Sequence, residues 1–195
     1  MTPPLPPDLR PSLLRARANL DAFMADAPSV EALHHACQVL ALALRQGNKV
    51  LVCGNGGSNA DAGHFAEELT ARFRADRPAL AAVACTDAGH ITCAANDFGF
   101  DRVFSRWVEA LGKPGDALVV LSTSGNSANI LLALEAAHAR GLRTVALLGR
   151  GGGRAAGLAH AQIVAPGDTA DRVQEIHHLV LHVWVEGIEK ALGLA

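Results

Sequence analysis

No apolar run in this 195-residue chain reaches the roughly 18 residues needed to cross a bilayer. The N-terminal stretch MTPPLPPDLRPS lacks both a charged lead and an apolar core, so no signal peptide is read there and a cytoplasmic protein is expected. Charge of one sign is also lacking: 17 Lys and Arg against 19 Asp and Glu leave a net charge of −2. That balance gives no global basic field and argues against nucleic acid as the main ligand. Cysteine is scarce, and Cys37, Cys53, Cys85 and Cys93 show no CxxC spacing. Reduced, buried thiols fit this pattern better than disulfides or a four-cysteine metal site. A Walker A loop, GxxxxGK[ST], is absent as well.

What is present is a half-apolar composition with 19 glycines, enough for one well-buried domain. The first dozen residues hold five of the nine prolines and predict an irregular, partly mobile lead. Helical spacing then runs over 12–25 and, after Asp26-Ala27-Pro28, over 29–46, with Gly47 at the C′ position. His34 and His35 have no ligand-like partner on this second helix and read as surface or packing residues. Residues 1–48 are thus expected to form an N-terminal helical extension that serves as an oligomer contact. From residue 49 to 195 the pattern alternates. Short apolar runs at 49–53, 80–85, 117–122, 144–148 and 162–165 predict five parallel strands covered on both faces. Helices are expected at 58–73, 86–95 with 100–111, 127–140, 154–159 and 170–192. The fold class is α/β, a three-layer arrangement with a five-stranded parallel sheet flanked by helices, one structural domain overall.

The stretch from Val50 to Leu69 holds the first site signal. Its strand runs into Gly54-Asn55-Gly56-Gly57-Ser58, where glycines permit close backbone approach to a ligand, and a helix follows with His64 and Glu68 at i, i+4. A second strand end reads Ser122-Thr123-Ser124-Gly125-Asn126-Ser127 and opens a helix. An N-cap needs only one hydroxyl, whereas four hydroxyls around a glycine and free helix N–H groups make a cradle for a monophosphate. The triplet Gly151-Gly152-Gly153 is explained by a flexible turn and receives no role. On the last helix, Gln174, His178 and His182 form a stripe, while Ile176, Val180 and Val183 mark the face expected on the sheet. His177 and His178 read most plainly as packed histidines, whereas Gln174 and His182 would complete with His64 and Glu68 a mixed N/O ligand set acceptable to zinc.

Four segments carry a family resemblance: CGNGGSNADAGHFAEELTARF, AANDFGFDRVFSRWVEALG, LSTSGNSANI and DRVQEIHHLVLH. Together they resemble the bacterial phosphoheptose isomerases of the sugar-isomerase (SIS) fold group, over about residues 47–190. The resemblance implies a homotetramer with active sites at subunit contacts and one zinc per subunit, held by His64, Glu68, Gln174 and His182. It implies substrate contacts from Asn55, Gly56, Gly57, Ser58, Glu68, Asn96, Asp97, Ser122, Thr123, Ser124, Ser127 and Gln174, with Asp171 and Arg72 at further polar positions. The implied reaction converts D-sedoheptulose 7-phosphate to D-glycero-D-manno-heptose 7-phosphate, on the way to the heptose of lipopolysaccharide core or related surface glycans.

Such a ketose–aldose shift moves a proton from C1 to C2 through an enediol and a second proton between the oxygens. Glu68 is the expected base at carbon and His182 the acid/base at oxygen. The two expectations for Glu68 compete, since a carboxylate tied to zinc is a weaker base. The rival reading is a non-enzymatic relative that binds the replication initiator protein or senses a sugar phosphate. An adaptor has no need of a complete acid–base and metal constellation, and that distinguishes the two readings.

Overall fold

The computed structural model describes residues 8–195. Five aliphatic runs form one all-parallel sheet: β1 (Val50–Gly54), β2 (Ala82–Ala84), β3 (Ala117–Ser122), β4 (Arg143–Gly149) and β5 (Ala161–Ala165), in the order β2-β1-β3-β4-β5. Val50 stands opposite both Ala82 and Ala117, and Val145 opposite Ala161. The helices are α1 (Arg10–Ala25), α2 (Ala27–Arg45), α3 (Gly57–Thr70), α4 (Ala88–Phe98), α5 (Val103–Leu111), α6 (Ala128–Ala139) and α7 (Ala170–Leu192). Because side chains alternate along a strand, Val50 and Val52 pack with α2, α3 and α7, whereas Leu51 and Cys53 pack with α4, α5 and α6. The result is the expected three-layer α/β arrangement, with every residue of β1 and β3 buried.

The structure departs from the sequence reading at several places. The irregular lead lies largely outside the described residues, and α1 already begins at Arg10 because Pro11 suits the first helical turn. A single residue, Asp26, ends α1 and caps α2 by accepting from the Ser29 N–H at 3.0 Å. α2 buries Ala36, Leu40, Ala41, Ala43 and Leu44 in the main core, so it forms part of one layer of the sandwich. β2 is an edge strand of three residues, half-exposed because it has one neighbour. No α-helix forms over 154–159: positive φ at Gly151, Gly152 and Gly153 leaves a kinked 3-10 turn at Arg150–Ala155. Val183 is exposed, since the buried stripe of α7 runs through Val173, Ile176, His177, Val180, Leu181, Trp184 and Ile188. Cys93 is exposed on α4, while all four cysteines are free.

Two buried polar contacts fix α7. Arg77, on the loop after α3, pairs with Glu189 at 2.8 Å, the two side chains being 2 % and 7 % exposed. The same guanidinium donates to the carbonyls of Glu68 (2.7 Å) and Leu69 (2.8 Å), which α3 leaves unsatisfied at its C-terminus. It therefore caps α3 and binds it to α7. The second contact is His177 Nε2, 2.9 Å from the Leu148 carbonyl of β4, with Nδ1 buried and unpartnered. Burial pushes this imidazole down to about 4.

Removal of one partner from the Arg77–Glu189 pair leaves a buried charge, so Arg77→Ala is expected to lose roughly 3–5 kcal/mol in urea unfolding. A loss below about 1 kcal/mol would show that the pair does not join the helices. His177 binds a proton in the unfolded chain near its ordinary value of about 6.5 but not in the folded one. Its contribution is complete above that pH, falls as pH drops through 6.5, and levels off near 4. By pH 5 the loss is roughly 2 kcal/mol, and His177→Gln should remove that part of the difference between urea curves at pH 7.5 and pH 5.

Candidate active site

Strand order reverses at β1, which lies between β2 and β3, and in open α/β sheets ligands bind outside such a point at the carboxyl ends of the strands. Both sequence-marked loops sit there. After β1 the chain makes its turn at Gly54-Asn55-Gly56, with Gly56 at φ 56°, and enters α3 at Gly57. A Cβ on Gly54 would lie 2.8 Å from the Ser58 carbonyl oxygen, so only glycine lets the strand pass this close to the helix. Ser58 is buried in that junction. The first turn of α6, just beyond the loop after β3, is joined to the loop after β1 by paired amides: Asn55 and Asn129 each donate to the other at 2.9 Å.

The hydroxyl loop is braced from inside and behind. Ser122 Oγ is buried and accepts from the Gly125 N–H at 3.0 Å; Ser124 Oγ accepts from the Asn126 N–H at 3.2 Å and keeps its own proton to donate. Thr123 and Ser127 are half-buried, and Ser127 caps α6 without a side-chain bond, so its hydroxyl is also free to donate. The glycine triplet supplies the brace. A Cβ on Gly125 would lie 1.8 Å from the Gly152 carbonyl oxygen, and one on Gly153 would lie 2.3 Å from that of Ser124. Asn126 Oδ1 accepts from the Arg154 N–H at 3.0 Å, and the Gly125 carbonyl from the Ala155 N–H at 2.9 Å. The triplet thus has a part that its sequence alone did not reveal: two glycine turns interlock.

α3 and α7 bring the titratable groups together. His64 Nε2 lies 2.8 Å from His182 Nε2 and 3.5 Å from Glu68 Oε1, while His64 Nδ1 lies 3.3 Å from Glu67 Oε1. Burial, with the neighbouring His178, His64 and Arg74, holds the His182 imidazole below its ordinary value. Phe73 covers it, ring centroids 5.7 Å apart. Gln174 lies two turns N-terminal on the same stripe, its amide against Gly57, where a Cβ would meet Nε2 at 2.6 Å. Imidazole nitrogens and a carboxylate oxygen clustered this closely, with an amide on the same helix face, suit zinc or a similar borderline ion.

Other expected residues stand apart within the chain. Asn96 and Asp97 are exposed on α4 and bond to each other, Asn96 Nδ2 donating at 2.8 Å. Arg72 and Asp171 are exposed. Asp171 is held below the usual carboxylate range chiefly by a hydrogen bond with Thr169, and also by Arg172. Asn129, Arg77, Asp61 and His178 were not singled out as site groups from sequence. Only His178 had given a signal there, its place in the 174–178–182 stripe.

Comparison with known proteins places this geometry. A family model described as SIS domain matches residues 16–149. The chain is 50 % identical over 186 residues to a phosphoheptose isomerase from Aeromonas hydrophila, covering 95 % of this chain and 97 % of the relative. A phosphoheptose isomerase from Neisseria gonorrhoeae superposes with a TM-score of 0.87 at 39 % identity, covering 93 % of this chain and 97 % of the other. One from Francisella tularensis gives 0.88 at 34 % identity, covering 93 % and 96 %. With likeness of this extent in sequence and in structure, the chain belongs to the phosphoheptose isomerase family of SIS-domain proteins.

Proposed function

We propose that this protein is an aldose–ketose isomerase that converts D-sedoheptulose 7-phosphate to D-glycero-D-manno-heptose 7-phosphate, supplying heptose for lipopolysaccharide core or a related glycan. The observation that carries the reading is the meeting of His64, Glu68 and His182 on helices that flank a sheet edge bearing a hydroxyl-rich loop. An adaptor has no use for such a set.

The substrate phosphate is held by Ser122, Thr123, Ser124 and Ser127 and by the first N–H groups of α6, where the helix dipole favours an anion. Asn55, Gly56, Gly57, Ser58 and Gln174 line the approach of the sugar. With the phosphate end fixed, C1 and C2 are presented to the two proton carriers. Glu68, 15 % exposed, takes the proton from C1 and returns it to C2. His182, its imidazole held below the ordinary value chiefly by burial, moves the second proton from the O1 hydroxyl to O2, which leaves an aldehyde at C1 and a hydroxyl on C2. One zinc per subunit, held by His64, Glu68, Gln174 and His182, would supply Lewis-acid stabilisation of the enediolate oxygens.

A homotetramer is part of the same reading. α1 and the residue before it leave Leu9, Leu13, Leu14 and Met24 more than half exposed, an apolar surface suited to a second copy. Asn96 and Asp97 then reach a site from a neighbouring subunit. Among the described residues no helix is long and apolar enough to cross a membrane, a net charge of −2 argues against nucleic acid as a partner, and the reading keeps a cytoplasmic location.

In a coupled assay with D-sedoheptulose 7-phosphate, Glu68→Gln and His182→Gln are each expected to abolish turnover while leaving sugar-phosphate binding within a fewfold. Near-normal turnover in Glu68→Gln would remove Glu68 from the base role. Binding without turnover in the unaltered protein would overturn the isomerase reading. Ser124→Ala should instead raise KM by roughly ten- to hundredfold, ~1.5–3 kcal/mol, with kcat little changed, because one charge-assisted hydrogen bond is lost at the far end of the substrate.

A further inference from the structure

His178 occupies a place that the site described above leaves without a role. Gln174, His178 and His182 are successive members of one stripe of α7, four residues and about 6 Å of rise apart. Gln174 and His182 start about 12 Å apart along the helix, with one turn of α7 between them. His178 is the side chain on that turn.

The rings confirm the convergence. His178 stacks on His64 with centroids 4.7 Å apart and planes inclined 19°, and it meets His182 edge-on at 4.6 Å and 83°. One ligand nitrogen from each of the three lies within 4.8 Å of the other two. His178 Nδ1 lies 3.0 Å from Asp61 Oδ1, on a carboxylate only 16 % exposed that belongs to α3. A carboxylate accepts from Nδ1–H, which leaves the lone pair on Nε2, and a carboxylate behind an imidazole is the usual support of a metal-ligating histidine. At His64 the contact is looser, Nδ1 lying 3.3 Å from the exposed Glu67 carboxylate.

We infer that His178 is a metal ligand in this protein, a third imidazole beside His64 and His182, set in place by Asp61. The inference rests on the metal reading of the preceding section and deepens it. Three imidazoles favour zinc, cobalt or nickel over magnesium or manganese. They also ease the double demand on Glu68: when its carboxylate turns to the substrate, His64, Gln174, His178 and His182 still offer four donors.

The test uses the full chain, stripped of metal and titrated with Zn²⁺ against a chromophoric chelator and with Co²⁺ followed by visible absorption. His178→Leu is expected to weaken Zn²⁺ binding at least tenfold and to alter the Co²⁺ spectrum. Asp61→Asn should weaken it severalfold, and His182→Leu serves as the reference loss. His178→Gln, with an amide in place of the ring, is the second variant should leucine disturb folding, and circular dichroism melting of each metal-free variant reports that directly. Zn²⁺ affinity within twofold of the unaltered protein and an unchanged Co²⁺ spectrum in the folded His178 variants, with binding lost in His182→Leu, would overturn the inference and leave the four-residue site standing. Failure of the unaltered protein to bind either ion would overturn both.

Discussion

The guanidinium of Arg77 stands at the point where two helices that never meet in sequence become one site. It takes up the last carbonyls of α3 and, in the same plane, the carboxylate of Glu189 on α7. Helix ends buried without partners are costly, and a buried charge without a counter-charge costs more. A single side chain answers both needs, and the planar fork of arginine matches carbonyl and carboxylate at once in a way that a lysine ammonium does not. Its effect is to set how α3 slides against α7. The histidines and Glu68 lie between this clamp and the carboxyl edge of the sheet, so their mutual distances of 2.8 and 3.5 Å depend on it. A shift of one residue along either helix would turn each side chain by about 100° and separate the cluster.

The other end of the site depends on backbone approach. Gly54 lets β1 pass against Ser58, and Gly125 and Gly152 pass so close that no Cβ fits between them. The hydroxyl loop is thereby held by its neighbour's backbone, which leaves Ser124 and Ser127 free to donate outward. Reciprocal amides of Asn55 and Asn129 tie the start of α6, which this loop opens, to the loop after β1. Preorganised donors of this kind need little rearrangement when an anion arrives.

How much of this could be read from sequence follows from the range of each interaction. The five strands were legible because buried parallel strands are unbroken aliphatic runs, and β3 matches its expected bounds. α2 and α7 were legible from their 3.6-residue period, although the face α7 presents to the sheet leaves Val183 in solvent and sets His177 against β4. The strand–turn–helix at residues 50–69 and the hydroxyl loop were legible because glycine and clustered hydroxyls signal local backbone need. Arg77 was not, since nothing near it in sequence distinguishes an arginine that will be buried from one left in water. Asp61, Asn129 and the glycine triplet were missed for the same reason: their partners lie 117, 74 and about 27 residues away. Local chemistry shows in a sequence; a partner across the fold does not.

His182 shows how these layers act together. It is flanked by two imidazoles and by Arg74, covered by Phe73, and drawn partly out of water. Burial first, then the neighbouring His178, His64 and Arg74, disfavours the protonated ring. A neutral ring can accept a proton from a sugar hydroxyl or bind an ion, and holding its value down favours that form. This crowding favours the neutral ring, and it arises where α3 and α7 are held together by the Arg77–Glu189 pair and by core packing such as Phe65 against Trp184, so that His64 and His182 touch.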